Sequence, residues 1–280
     1  MSNQALQQAE QSNSKNTGTI DLKAYQLNTV FTTYLKKNYP PNLIEKVTGP
    51  NILDKIDSYL EENSARVNVA YRLINDDMRK DSWKCEAVDQ NGKDISRTYQ
   101  TRGSEEEVKQ IVLASFIQEY LSNGRYSAAL LLGIAGQETE WSNIQGKGGK
   151  GPFQITFVSS VTDLKSPDKL KNYNKYRVEC GMSEISSPVT TKDGYGYRTN
   201  IYLNSVAAMD TYIQKEMILN GAKSEKHVDE SDSLRIYNGN VAKHPKYKSL
   251  PIMDVYGIQT NLLYEYINAQ INPGFVKNSD

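Results

Sequence analysis

At 280 residues, with 38% hydrophobic side chains, the chain is long enough to bury one large core or two smaller ones. Its 33 basic and 33 acidic residues cancel, which excludes an overall field for nucleic acid or an anionic membrane, so recognition has to be local. Two cysteines, Cys85 and Cys180, and two histidines, His227 and His244, argue against a disulfide framework, a metal centre and a histidine-dependent triad.

The first twenty residues, rich in Gln, Asn and Ser, read as a disordered leader. Met1 to Thr19 is polar, with no apolar signal region, so delivery without a classical signal peptide or removal of one is expected. No stretch approaches the roughly 18 apolar residues of a membrane span. From Asp21, Leu22, Tyr25, Leu27, Val30, Phe31 and Leu35 recur near helical spacing until Pro40-Pro41, predicting a first helix of about four turns. Asn51 is placed to cap a second helix, Ile52 to Glu62, and Ser64 a third carrying Val67, Val69, Ala70, Leu73 and Ile74. Asn91-Gly92 between Cys85, Ala87, Val88 and Ile95, Tyr99 predicts a hairpin. Ser104 and Glu107 match a capping box for a helix running to Ser122. The change of pattern near residue 103 divides the chain into a helical module, 21–103, and a second unit, 104–280. That unit holds an apolar helix, Ser127 to Glu138, a glycine-rich stretch, a long polar segment from Thr162 to Arg198, and helices near Ile201 to Leu219 and Tyr256 to Gln270.

The helix ending at Glu138 is apolar nearly all round and so should be buried. Burial and the negative end of the helix dipole both disfavour a charged carboxyl there, which suits a proton donor. Downstream, Gly146 to Gly151 allow close backbone approach to a ligand, and Pro152 to Thr156 read as a short strand lining a groove. A phosphate-binding loop does not fit, because no strand precedes the glycines and no Lys-Ser/Thr pair opens a helix after them. Nineteen tyrosines against five phenylalanines offer apolar faces with a hydroxyl, which suit sugars and polar clefts or simply tile the surface and the core edge. Trp141 either covers a cleft or anchors the helix end, and Tyr195 and Tyr197 either stack on a ligand or pack on the protein.

Ile134-Ala135-Gly136-Gln137-Glu138-Thr139, then Gly151-Pro152-Phe153-Gln154-Ile155-Thr156, then Ile236-Tyr237-Asn238-Gly239-Asn240 resemble, in order, the three signature segments of the soluble lytic transglycosylases of the lysozyme superfamily. In that family the segments read as a helix ending in Glu-Ser, then Gly-Leu-Met-Gln-Ile, then Ala-Tyr-Asn-Ala-Gly. The resemblance spans about Ala114 to Val241. This chain departs from it at Thr139, at Pro152-Phe153, at Asn240 and in the longer interval before Tyr237. The first two segments also resemble plant-type chitinases, but Gln137 stands where those have His, and their second acidic residue has no evident match.

The resemblance implies a mainly α (α+β) fold, a lysozyme-like catalytic domain with a small β element behind a helical N-terminal module. It implies an enzyme that cleaves the β-1,4 bond between N-acetylmuramic acid and N-acetylglucosamine in peptidoglycan, with Glu138 as catalytic acid and base. Phe153, Gln154, Ile155, Tyr237 and Asn238 would then bind substrate, and no metal or organic cofactor is implied. A lytic transglycosylase needs one carboxylate, because the substrate's own hydroxyl closes the ring, whereas most glycosidases need two. Glu140 is two residues from Glu138 and does not share its face, so it reads as solvated or structural. Asp163, Asp168 and Asp193 stay as partners for a hydrolytic, lysozyme- or chitinase-like route. The remaining alternative is an inactive wall-binding component. The partner is peptidoglycan glycan strands at the bacterial cell wall, periplasmic or extracellular. A phage lysin or virion-borne enzyme fits first and a secretion-system effector or mature secreted enzyme next, and the N-terminal module would dock it to a virion or secretion apparatus.

Overall fold

A computed structural model describes residues 19–23, 25–42, 49–89, 91–146, 148–156, 164–189, 197–198, 200–220, 230–238 and 250–274. Helix makes up 60% of it and strand 6%, so the chain is mainly α. In chain order the elements are α1 Thr29–Asn38, α2 Ile52–Glu62, α3 Ser64–Arg72, β1 Trp83–Cys85, β2 Arg97–Tyr99, α4 Glu105–Leu121 and α5 Ala128–Thr139. There follow β3 Gly149–Lys150, β4 Ile155–Thr156, α6 Pro167–Glu179, α7 Ile201–Leu219, α8 Glu230–Asn238 and α9 Ile252–Ile271. Among the described residues no helix is long and apolar enough to cross a membrane.

Local chemistry sets the boundaries of these elements. Asn51 and Asp54 form a capping box at α2, and Ser104 and Glu107 form another at α4, so both helices start with the cap amide and the third-position amide satisfied. The hairpin pairs Trp83 with Tyr99 and Cys85 with Arg97. Asp89 closes its turn by accepting from the amides of Asn91 and Lys93, and Gly92 takes a positive φ of 74°. Cys85, Ala87, Ile95 and Tyr99 face inward, whereas Val88 turns out to solvent. Both cysteines are free.

Four expectations shift. The first helix begins only at Thr29, because the Asn28 side chain accepts from the Val30 amide and Asp21 turns the chain before it. Asn63 rather than Ser64 precedes α3, and α3 runs through a π-turn, Leu73–Asp77, into a last turn, Met78–Lys80. The polar segment from Thr162 to Arg198 contains α6, whose inner face is Tyr173, Tyr176 and Arg177. Residues 1–18 of the expected leader lie outside the described residues. Ile20 does not behave as leader: it is buried, and its amide donates to Asn68.

The core is built around α5. Its residues from Ala128 to Gln137 are all buried, packed against α4, α7 and α9, and α9 carries α8. Gly133 lets the α9 backbone at Tyr264 come close, since a Cβ there would stand 3.3 Å from it. α2 packs on α4, and α3 on α4 and α9, so Ile56, Leu60, Val67 and Ile74 join Val108, Ile111, Phe116 and Leu263 in one continuous buried cluster.

The boundary expected near residue 103 falls on a packed corner. Arg79 donates to the Gly103 carbonyl at 2.6 Å, the Arg102 amide donates to Glu140, and a Cβ on Gly103 would lie 1.9 Å from the Trp141 carbonyl oxygen. Gly103→Ala is therefore expected to lower stability by roughly 2–3 kcal/mol, read as a lower urea midpoint in a single transition. An unchanged midpoint would show that the corner is not packed in this way.

Candidate active site

Two left-handed residues set the end of α5. Glu140 and Trp141 have φ of 52° and 59°, and their amides return to the carbonyls of Gly136 and Ala135. The fully buried Trp141 ring folds beneath the helix, and its indole donates to the Leu132 carbonyl at 2.9 Å. Gly136 makes this possible, because a Cβ there would lie 2.5 Å from that ring. Trp141 thus anchors the helix end and does not cover a cleft.

Glu138 projects from this end, half-buried. Its Oε1 accepts from the Tyr256 hydroxyl of α9 at 2.9 Å. Burial raises the carboxyl to about 7, against the opposing pull of the Tyr256 hydrogen bond and the Arg97 charge. Tyr237 of α8 lies near parallel to Tyr256, ring centroids 6.5 Å apart and planes within 16°. Burial and the neighbouring Glu138 charge push both phenols well above their ordinary range, so both remain neutral hydrogen-bond donors.

The glycine-rich segment reaches the same place. β3 and β4 pair antiparallel, Lys150 opposite Ile155, but Gly151 to Gln154 form a turn instead of continuing the expected strand. Gly151 has φ 74°, and Gln154, at φ 48°, reaches the Ile144 and Gly151 carbonyls with its side-chain amide. Asn204 of α7 braces the turn: its Oδ1 accepts from the Phe153 amide at 3.1 Å, and its Nδ2 donates to the Lys150 and Tyr197 carbonyls. The Thr139 hydroxyl donates to the Pro152 carbonyl at 3.0 Å, and the Tyr237 hydroxyl to the Phe153 carbonyl at 3.2 Å. The Thr139, Pro152-Phe153 and Tyr237 segments, distant in sequence, are thereby tied together at the Glu138 end of α5.

The expected contact residues divide accordingly. Phe153 and Ile155 hold their side chains in the core, so only their backbone remains for a ligand. Gln154 is half-buried and braces its own loop, and Asn238 ends α8 half-buried beside Tyr237. Glu140 is structural, paired with Arg102 and, at 3.9 Å, with Arg97. Tyr197 is buried, and Asp168 is exposed in the first turn of α6. Asp163, Asp193, Tyr195, Gly239, Asn240 and both histidines lie outside the described residues. Sequence reasoning missed Tyr256 and Arg97. Neither stands in a motif, and one tyrosine among nineteen carries no mark until α9 packs on α5 and α8.

Two roomy clefts, about 500 and 560 Å³, lie elsewhere, around Asn38, Pro40 and Glu184. They lack the raised carboxyl found at Glu138, and a reaction is decided by the groups present. No protein-family model, curated protein or solved structure matches the chain.

Proposed function

We propose that the protein cleaves the β-1,4 linkage between N-acetylmuramic acid and N-acetylglucosamine in peptidoglycan at the bacterial wall, with Glu138 as the sole proton-transfer group. The observation that carries this reading is the convergence of three segments on a carboxyl raised to about 7, hydrogen-bonded to one neutral tyrosine with a second stacked beside that tyrosine. A carboxyl near half-protonation at neutral pH can donate to the glycosidic oxygen and then accept a proton. In the transglycosylase route the second proton comes from the muramoyl 6-hydroxyl, so the glycan itself supplies the nucleophile. Glu140 does not compete for the role, since Arg102 and Arg97 hold it. Tyr237 and Asn238 would orient the acetamido sugar beside the acid. The lysozyme-like catalytic domain and a docking role for the N-terminal helices belong to the same proposal.

Mass spectrometry of fragments from purified walls separates the chemistries. The transglycosylase route gives products lighter by one water than reducing-end products, and a hydrolase gives reducing ends only. A further expectation concerns Tyr256. Its hydrogen bond favours the charged carboxylate, so Tyr256→Phe raises the Glu138 value above about 7 and moves the alkaline limb of the pH–activity profile upward. A limb that stays in place or moves down would remove Tyr256 from the acid's surroundings.

A further inference from the structure

The hairpin lies outside every segment of the resemblance, yet it reaches the end of α5 at two points. Tyr99, fully buried in β2, donates to Gln137 at 2.5 Å, and Gln137 in turn donates to Gln259 of α9, which donates to the Ile95 carbonyl. This buried chain fixes the hairpin to α5, which carries Glu138, and to α9, which carries its partner Tyr256. Two residues before Tyr99, Arg97 lays its guanidinium over the Tyr99 ring, 4.8 Å from the centroid. The ring holds Arg97 in a half-buried position beside the helix end.

The charges there do not cancel. Arg102 and Arg97 face one carboxylate, Glu140, and Arg102 is much the closer partner, with Arg97 at 3.9 Å. Two cations against one anion leave one positive charge. Among the described residues, the other groups turned to Glu138 are Tyr256 from α9 and Tyr237 from α8, both neutral. Of those residues, ionised Glu138 is therefore the anion left for the residual charge to meet.

We propose that Arg97, carried by the N-terminal hairpin, is a positioning residue for Glu138, its surplus charge stabilising the carboxylate that remains after the acid gives up its proton. The inference rests on the reading of Glu138 as the proton-transfer group. It makes the N-terminal module part of the reaction centre as well as a means of docking. Without the cation, burial holds the carboxyl too firmly in its acid form, and the return step, in which it acts as base, is slowed.

The test is a carbon-13 NMR titration of the Glu138 carboxyl in the full chain, as wild type and as Arg97→Gln, Arg97→Lys and Glu140→Gln, alongside the pH profile of wall clearing. Arg97→Gln is expected to raise the midpoint above about 7 by about half a unit or more. Arg97→Lys, which keeps the charge, should restore it. Glu140→Gln frees both guanidinium charges and should shift the midpoint down; general loosening of the site, by admitting water to the carboxyl, would lower the midpoint in every variant and so could not produce the rise in Arg97→Gln. An unmoved midpoint in Arg97→Gln, or shifts of the same sign in Arg97→Gln and Glu140→Gln, would overturn the assignment. The titration needs no substrate. Shifts as expected in a protein without wall activity would therefore sink the proposed reaction and leave the charge coupling standing, while full activity with an unmoved midpoint would sink the role of Arg97 alone.

Discussion

Glu138→Gln is expected to lose wall-clearing activity by on the order of 10²–10⁴-fold, the usual contribution of a positioned general acid and base. The same variant should be more stable than wild type above neutral pH. Burial lifts the Glu138 carboxyl from its ordinary value of 4.5 to about 7, so between these values the folded state binds more protons than the unfolded one, and stability falls as pH rises. Below pH 4.5 both states are protonated and no ionisation cost is felt; above pH 7 both are ionised and the folded state carries the full cost. Since the side chain keeps some contact with water, that cost is roughly 2–3 kcal/mol. Gln has the same shape, can still accept from Tyr256, and never ionises. Urea melts should therefore show the two proteins equal near pH 4 and the variant ahead at pH 8. Equal stability at both pH values would mean that Glu138 is an ordinary solvated carboxylate.

The second large effect is expected at Gly151. Its φ of 74° disfavours any residue with a Cβ, and a Cβ built there would lie 2.3 Å from the Asn204 Oδ1. Asn204 cannot retreat without giving up the Phe153 amide and two carbonyls, and that buried amide would then lack a partner. Gly151→Ala should cost roughly 2–4 kcal/mol, from strain and one or two lost hydrogen bonds together. Activity should fall further than stability explains, because the Pro152 and Phe153 carbonyls that meet Thr139 and Tyr237 shift with the turn. Asn204→Ala, which makes room but removes the brace, should lose activity without restoring the turn. A Gly151→Ala protein as stable and as active as wild type would show that the turn does not organise the site.

Local signals were legible wherever a short-range rule decides the outcome. Asn51, Ser104 and Asn91-Gly92 mark helix starts and a turn through contacts within four residues, and the structure agrees at each. The apolar run before Glu138 likewise announces its own burial. α6 was hidden because its buried face is made of tyrosines and an arginine, which composition reads as polar, although Ser166-Pro167-Asp168 is an ordinary helix start. The start of α1 was overrun because Leu22, Tyr25 and Leu27 pack on the core from non-helical backbone at spacings close to a helical period.

The site was legible in its motif residues and illegible in their surroundings. Thr139, Pro152, Phe153 and Tyr237 stand in three motifs, and the fold joins them by hydrogen bonds. Tyr256 bonds to Glu138, and the Arg97 charge acts on it, only because α9 and the hairpin pack beside α5, a consequence of tertiary structure that no short window carries. Phe153 and Ile155 show the reverse: inside a segment expected to bind substrate, their side chains serve the core.

The proposed role of Glu138 in cleaving the wall is tested most directly by the release of soluble fragments from purified peptidoglycan by wild-type protein and by Glu138→Gln, with the fragments weighed by mass spectrometry. Wild type is expected to release disaccharide-based fragments lighter by one water than their reducing-end counterparts, and the variant almost none. Equal release by the two proteins, or none by either, would contradict that role.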